Sequence, residues 1–167
     1  MLIRSAGAND DAAIFALHCA AFGGDAEARL VRMLDQDGDA LVSLVAEKDG
    51  VVVGHVMFSQ MSVEADGEAV PGAGLAPLGV LPAFQSSGIG TALVHEGLAR
   101  LPAFGIRISF VLGHPPYYPR FGYRPEHAEP FASPYAGPHF MALLLDKFGP
   151  LPERGRADYA PAFARLG

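Results

Sequence analysis

Leu78-Gly79-Val80-Leu81-Pro82-Ala83-Phe84-Gln85-Ser86-Ser87-Gly88-Ile89-Gly90-Thr91-Ala92-Leu93 is an apolar strand that runs into a loop, and the loop opens a helix. A helix start leaves backbone N–H groups unpaired and carries partial positive charge. A diphosphate fits there without lysines. Gly88 and Gly90 remove the side chains that would keep phosphates at a distance. Two glycines at this spacing also suit a plain loop before a helix. Two other nucleotide signatures are absent. There is no G-x-x-x-x-G-K-[ST], and no full G-x-G-x-x-G followed by a ribose-binding acid.

Outward from this stretch, the helix runs from near Gly88 to about Leu101, with Ile89, Leu93, Val94, Leu98 and Leu101 at helical spacing. Gly74–Leu81 reads as the strand before it. Leu41–Glu47 and Val51–Val63 are rich in valine and leucine and are joined by Lys48-Asp49-Gly50, a hairpin signal; Asp66-Gly67 marks a second turn. Leu2–Ser5 reads as a first strand. Asn9 or Asp10 can cap a helix to about Phe22, and Asp25 a second with Ala26, Leu30, Val31 and Leu34 on one side. Beyond the central helix come a strand at Arg107–Leu112, a short helix within Pro115–Phe121 and a strand at His139–Leu145. The tail after Phe148, rich in Gly, Pro and Arg, has no clear element. The order implies an α/β (α+β) fold: a mixed sheet with helices on both faces.

Composition narrows the class. The 167 residues suit one domain with one sizeable core, and half of them are hydrophobic, which excludes a disordered chain. The net charge of −6 argues against a nucleic-acid binder. The lone Cys19 allows no internal disulfide, the N-terminus has no signal-peptide pattern, and no apolar run reaches the roughly 20 residues of a membrane span; the expected setting is the cytoplasm. The six histidines show no metal-ligand spacing, so no metal is expected.

Gln85-Ser86-Ser87-Gly88-Ile89-Gly90 resembles the Q/R-x-x-G-x-G/A motif of the GNAT N-acetyltransferase superfamily, and Leu78-Gly79-Val80-Leu81-Pro82 resembles the strand before it. Farther on, Gly113-His114-Pro115-Pro116-Tyr117-Tyr118-Pro119-Arg120-Phe121-Gly122-Tyr123 is similar to its second signature, Y-x-x-x-G-F/Y, in a wording like that of the bacterial YhbS-like branch. The resemblance covers about Arg4 to Leu145 and is sharp from Leu75 to Pro125. It implies a GNAT fold, with a mostly antiparallel twisted sheet splayed between two strands, and residues 1–167 as one acyltransferase domain. Acetyl-CoA would be the cosubstrate. The main chain of Ser87 through Thr91 (Ser87, Gly88, Ile89, Gly90, Thr91), with Gln85 and Ser86, would hold its pyrophosphate. Leu78 and Val80 would meet the pantetheine arm, and Gly79 would form a bulge that splays the strand.

The same resemblance makes Tyr118 the proton donor to the departing thiolate, in contact with the coenzyme; a phenol is protonated at neutral pH. Tyr117 reads as packing. The N–H of Leu78 would serve the oxyanion. The strand carboxylate of many relatives is missing from Gly72–Leu78, so the base stays open among Glu64, His55, His114 and water. Glu27, His55 and His114 are candidates to line the acceptor site, although Glu27 with Arg29 equally fits a solvated face and His55 a core position. Arg120 anchors the short helix or meets phosphate. Cys19 reads as a small core residue. The implied partners are acetyl-CoA and an amine of a small molecule or peptide, with no nucleic acid, no membrane and a homodimer left open. The other readings are an acyl-CoA-binding sensor and an interaction module on the same fold.

Overall fold

A computed structural model describes residues 1–146 and 148–166. The strands are β1 (Leu2–Ser5), β2 (Ala40–Lys48), β3 (Val51–Ala65), β4 (Glu68–Val80), β5 (Ile108–Leu112), β6 (Phe131–Ala132), β7 (Phe140–Leu144) and β8 (Gly155–Asp158). The helices are α1 (Asp11–Phe22), α2 (Ala26–Asp37), α3 (Ile89–Arg100) and α4 (Pro125–Ala128). The main sheet runs β1-β2-β3-β4-β5-β7, and β8 continues along β3 where β2 stops, pairing also with β6. Along the main path only β4–β5 is parallel.

Both hairpins turn on residues with positive φ, Asp49-Gly50 and Asp66-Gly67, which matches the strand twist. The second turn makes β4 longer than expected. It begins at Glu68, because Glu68-Ala69-Val70-Pro71 has weak strand preference of its own but is drawn into register against Ser62–Ala65.

Alternation along β3 builds two cores. Val56 and Phe58 face α3 with Leu93 and Val94, while Met57 faces α2 with Leu30 and Leu34. Gly97 of α3 is bare where Phe58 lies; a Cβ there would stand 2.2 Å from its ring. A third cluster of Met61, Ile108, Phe110, Phe131 and Phe140 fills the space beneath β5, β6 and β7. The expected helices therefore lie on both faces.

β4 and β5 pair only at Gly72↔Ile108, Ala73↔Ser109 and Gly74↔Phe110. Beyond that β5 stays with β7 and β4 with β3, so the sheet forks. The register shift in β4 lies between Leu75 and Leu78, at Ala76-Pro77, and Gly79 sits in register opposite His55. The expected bulge at Gly79 is thus misplaced by a few residues. Gly79 is bare for another reason: a Cβ there would stand 2.6 Å from His18 Nδ1 on α1.

Candidate functional site

Gly88 is the N-cap of α3, with φ 87°, and the first helical bond runs from Ala92 N–H to Gly88 carbonyl, 3.0 Å. The N–H groups of Ile89, Gly90 and Thr91 precede that bond and have no helical acceptor. Gly88 has no neighbouring atom within 4 Å of where a Cβ would lie, and for Gly90 the nearest is Tyr117 Oη at 3.5 Å. The loop is held by its own polar groups. Ser87 Oγ donates to the Phe84 carbonyl, and Gln85 Nε2 donates to the Val80 carbonyl at 3.0 Å.

The strand edge leading into this loop is open. Leu81 N–H bonds the Val53 carbonyl of β3 at 2.9 Å. By alternation, the main-chain groups of Val80 and Leu78 turn to the other edge, where β5 has departed. Bare N–H groups at a helix start therefore adjoin a strand edge with no neighbouring strand, where the Val80 carbonyl is met by the Gln85 side chain. Together they border a cleft of about 500 Å³ lined by Leu78, Val80, Gln85, Ser86, Gly88, Ile89, Gly90 and Thr91, and by Phe84, Tyr117 and Arg120.

The last two come from the segment after β5. Tyr117, expected only to pack, bonds Thr91 Oγ1 through its hydroxyl at 3.0 Å. Arg120 lies over the Tyr117 ring, 4.2 Å from its centroid, and donates from Nε to the Tyr117 carbonyl at 2.8 Å. It anchors the short helix and lines the cleft at once. The adjacent Tyr-Tyr pair, with Arg three residues beyond the first, was the signal available in the sequence.

Tyr118 stands behind the cleft. Its ring meets Tyr117 edge-on at 5.0 Å and Tyr123 at 5.9 Å, and it fills the space beside Gly113, where a Cβ would be 2.4 Å from Cε2. Burial, with the Tyr117 phenol adding, pushes its pKa up to about 12. The phenol is protonated across the neutral range. Tyr123, wholly buried, is held by Ser109 Oγ at 2.7 Å.

The remaining candidates lie apart from the cleft. His114 is exposed, and its carbonyl accepts from the N–H groups of Tyr117 and Tyr118. Glu27 is half-buried in the first turn of α2. His55 is fully buried, with Nδ1 2.8 Å from His18 Nε2 and Nε2 2.8 Å from Ser43 Oγ, so it has no path to a substrate in this structure. Glu64 is exposed at the far end of β3, opposite Arg156. A larger groove, about 700 Å³, lies at that end too. There β4 and β5 are paired, no helix start enters, and Arg156 is engaged by Asp158 at 2.7 Å, so the chemistry favours the smaller cleft.

A family model for the acetyltransferase (GNAT) domain matches residues 2–125. The chain belongs to the GNAT acetyltransferase family. Among curated GNAT relatives, the uncharacterized N-acetyltransferase YhbS of Escherichia coli (strain K12) is 42% identical over 124 residues, 74% of this chain and 73% of that protein. The uncharacterized N-acetyltransferase YjhQ of the same strain is 39% identical over 107 residues, 63% of this chain and 59% of that protein. The crystal structure of E. coli YhbS in complex with CoA superposes with a TM-score of 0.86 at 35% identity, covering 99% of this chain and 93% of that one. A GNAT acetyltransferase of Brucella melitensis in complex with acetyl-CoA gives 0.78 at 36% identity, with 97% of each chain covered. The GNAT fold is thereby shown over nearly the whole chain, including the tail that the sequence left undefined. Among the described residues no group of His, Cys, Asp or Glu is gathered to hold a metal, and no helix is long and apolar enough to cross a membrane.

Proposed function

We propose that this chain, as one domain, moves an acetyl or short acyl group from acetyl-CoA to the amine of a small molecule or peptide, by direct attack in a ternary complex. The observation that carries this reading is the continuity of the α3 start with the open edge of β4. The first suits a diphosphate and the second suits the amide-bearing pantetheine arm, which can add to the edge like a strand. CoA in the YhbS crystal and acetyl-CoA in the Brucella one support the choice of ligand.

In this reading the N–H of Leu78 stabilises the oxyanion that forms when the amine attacks the thioester. Tyr118 supplies a proton to the departing thiolate. Its raised pKa makes it a weak acid, but a thiolate leaving in the same dry gap is itself a stronger base than in water. Among the described residues no carboxylate lines the cleft, so the amine must arrive neutral or lose its proton to water. A lysine-type amine, pKa ~10.4, is mostly charged at pH 7, whereas an α-amine near ~8 is about a tenth neutral. The arrangement therefore favours an α-amine or one of similar basicity.

CoA is expected to raise the melting temperature, since only the folded cleft binds it. Acetyl-CoA with a panel of amines is expected to release thiol, faster with α-amines than with lysine side-chain amines at pH 7. No thermal shift with CoA would refute the site. A shift without turnover on any amine would leave an acyl-CoA sensor in its place.

A further inference from the structure

Three buried side-chain atoms on one face of β4 have no hydrogen-bond partner among the described residues: His18 Nδ1, Ser59 Oγ and the Tyr159 hydroxyl. Native interiors seldom leave such atoms unpaired, and those that stay so mark strain, water or a ligand. All three lie along the stretch where β4 leaves β5. His18 Nδ1 abuts Gly79. Ser59, with no exposed surface, is the cross-strand partner of Gly74 and shares its face. The Tyr159 ring covers Gly74, with Cε1 and Cδ1 2.6 and 2.9 Å from where a Cβ would stand. Gly74 is the last β4 residue paired with β5, so Ser59 and Tyr159 sit at the point of the fork.

Tyr159 is held there by apolar packing alone, Phe140 at 6.4 Å among its ring contacts. Its ring touches Phe163 at 4.7 Å and Tyr135 at 5.5 Å, and part of it is exposed. Its hydroxyl has nothing to bond, so that atom gains nothing from the covered position and loses its water. Two exposed rings stand at either end of the same stretch. Phe22 (46% exposed) stacks on His18, and Tyr135 (37% exposed) meets Tyr159 edge-on. The one buried carboxylate among the described residues, Asp10, is already paired with Arg4. Neutral hydroxyls between exposed rings suit an uncharged primary amine on an aromatic body.

Resting on the acyltransferase reading, we propose that Tyr159 gates and anchors the acceptor. Its ring caps the fork in the free protein and swings aside for an aryl-bearing amine. Its hydroxyl and the uncovered Ser59 Oγ then bond the amine, while Tyr135, whose ring meets Tyr159, packs against the aryl group. Both hydroxyls are positioning groups and take no part in bond making. Tyr159 and Tyr135 lie outside residues 2–125 while Ser59 and Phe22 lie within them, so the site joins the C-terminal segment to the matched domain.

The probe is L-phenylalaninamide, titrated calorimetrically into the CoA-loaded protein and assayed for thiol release with acetyl-CoA. The wild type is expected to bind and acetylate it. Tyr159→Phe and Ser59→Ala should each weaken binding about tenfold, as loss of a hydrogen bond to a ligand does. The effect should fall on KM rather than kcat, with CoA affinity and melting temperature unmoved, because neither hydroxyl has a protein partner to lose. Glycinamide, the same amine without a ring, should bind at least tenfold more weakly than the aryl probe. The proposal is overturned if the wild type does not bind phenylalaninamide, if either variant binds it as well as the wild type (the hydroxyls then serving only water), if the variants melt lower, or if glycinamide binds equally. Turnover of other amines and the CoA-induced thermal shift are separate readouts, so the anchor can fail while the acyltransferase reading stands.

Discussion

Glycines do opposite things at the two ends of this site. At the start of α3, Gly88 opens onto space and Gly90 has only ordinary contacts at 3.5 Å and beyond, so the main chain itself is what a ligand meets. Along β4, Gly74 and Gly79 are filled by the rings of Tyr159 and His18, which arrive from the C-terminal segment and from α1. One region is built of backbone and its neighbours in sequence, the other of side chains brought together by the fold. A ligand at the first needs charge complementarity. At the second it has to compete with a ring already in place.

The largest effect should come from placing a carboxylate at the open end. Gly90→Asp puts negative charge among the N–H groups that would face phosphates, and such like-charge contacts cost several kcal/mol; CoA affinity should fall by about 100-fold or more. The free protein should melt no lower, because an acidic residue in the first turn suits the helix dipole. Calorimetric CoA titration and a melting curve check both halves. Retained affinity would mean that the α3 start is as closed to a diphosphate as β4 is.

Tyr118→Phe sharpens the same contrast from within the gap. It keeps the ring beside Gly113 and removes only the phenol. Turnover should drop by about 100-fold, within the range for loss of a positioned acid, with CoA affinity within about twofold. Steady-state thiol release against CoA titration separates the two. Full activity would assign the proton to another donor, Tyr117 being the nearest phenol in sequence.

The difference between the regions also explains what could be read before folding. Leu78–Leu93 carried its own meaning, because the strand, the turn residues and the helix start are all local. The open edge at Leu78 and Val80 was expected from the family resemblance rather than from the run itself. Gly79 was legible as a special position, but its reason was not, since His18 is far away in sequence and nothing in its local pattern points to β4. Tyr117 read as packing because only the fold brings it to Thr91. His55 read as a candidate base or acceptor-site residue, with a core position as the alternative, because a strand histidine has two faces to choose from, and α1 decides which. Tyr159 fell in a tail without periodicity, whose β8 exists only because β3 outruns β2 and needs a partner.

A smaller effect is expected at the filled end. Gly79→Ala drives a methyl against His18, and overpacking of this kind costs about 1–3 kcal/mol. Urea unfolding should show the loss, and CoA affinity of the folded fraction should change little. Combining it with His18→Ala should recover part of the stability, a non-additivity that marks direct contact. If Gly79→Ala instead weakened CoA and left stability intact, this face of β4 would be a ligand surface like the α3 start.

The last expected effect is on pH, and it asks whether the filled end is truly dry. Burial holds His18 down at about 4 and His55 at about 3, the latter helped by its neighbour His18 and opposed weakly by Asp10, against an ordinary value near 6.5. Between pH 6.5 and 4 the unfolded chain therefore binds more protons than the folded one, so stability rises with pH. The contribution is complete above about 6.5 and is lost as pH falls toward 4. Asp10 is lowered to about 2, by Arg4 first and the Gly7 N–H second, so its stabilisation is present above its ordinary value near 3.8 and lost only as pH falls through about 2, below this window. The melting temperature should be several degrees lower at pH 5 than at pH 7. His18→Gln removes one of the two titrating rings and should flatten that slope by about half, a change that fluorimetry across the pH range resolves. An unaltered slope in the variant, or no slope in the wild type, would mean that water already reaches the His18–His55 pair and that the two ends of the site differ less than their glycines imply.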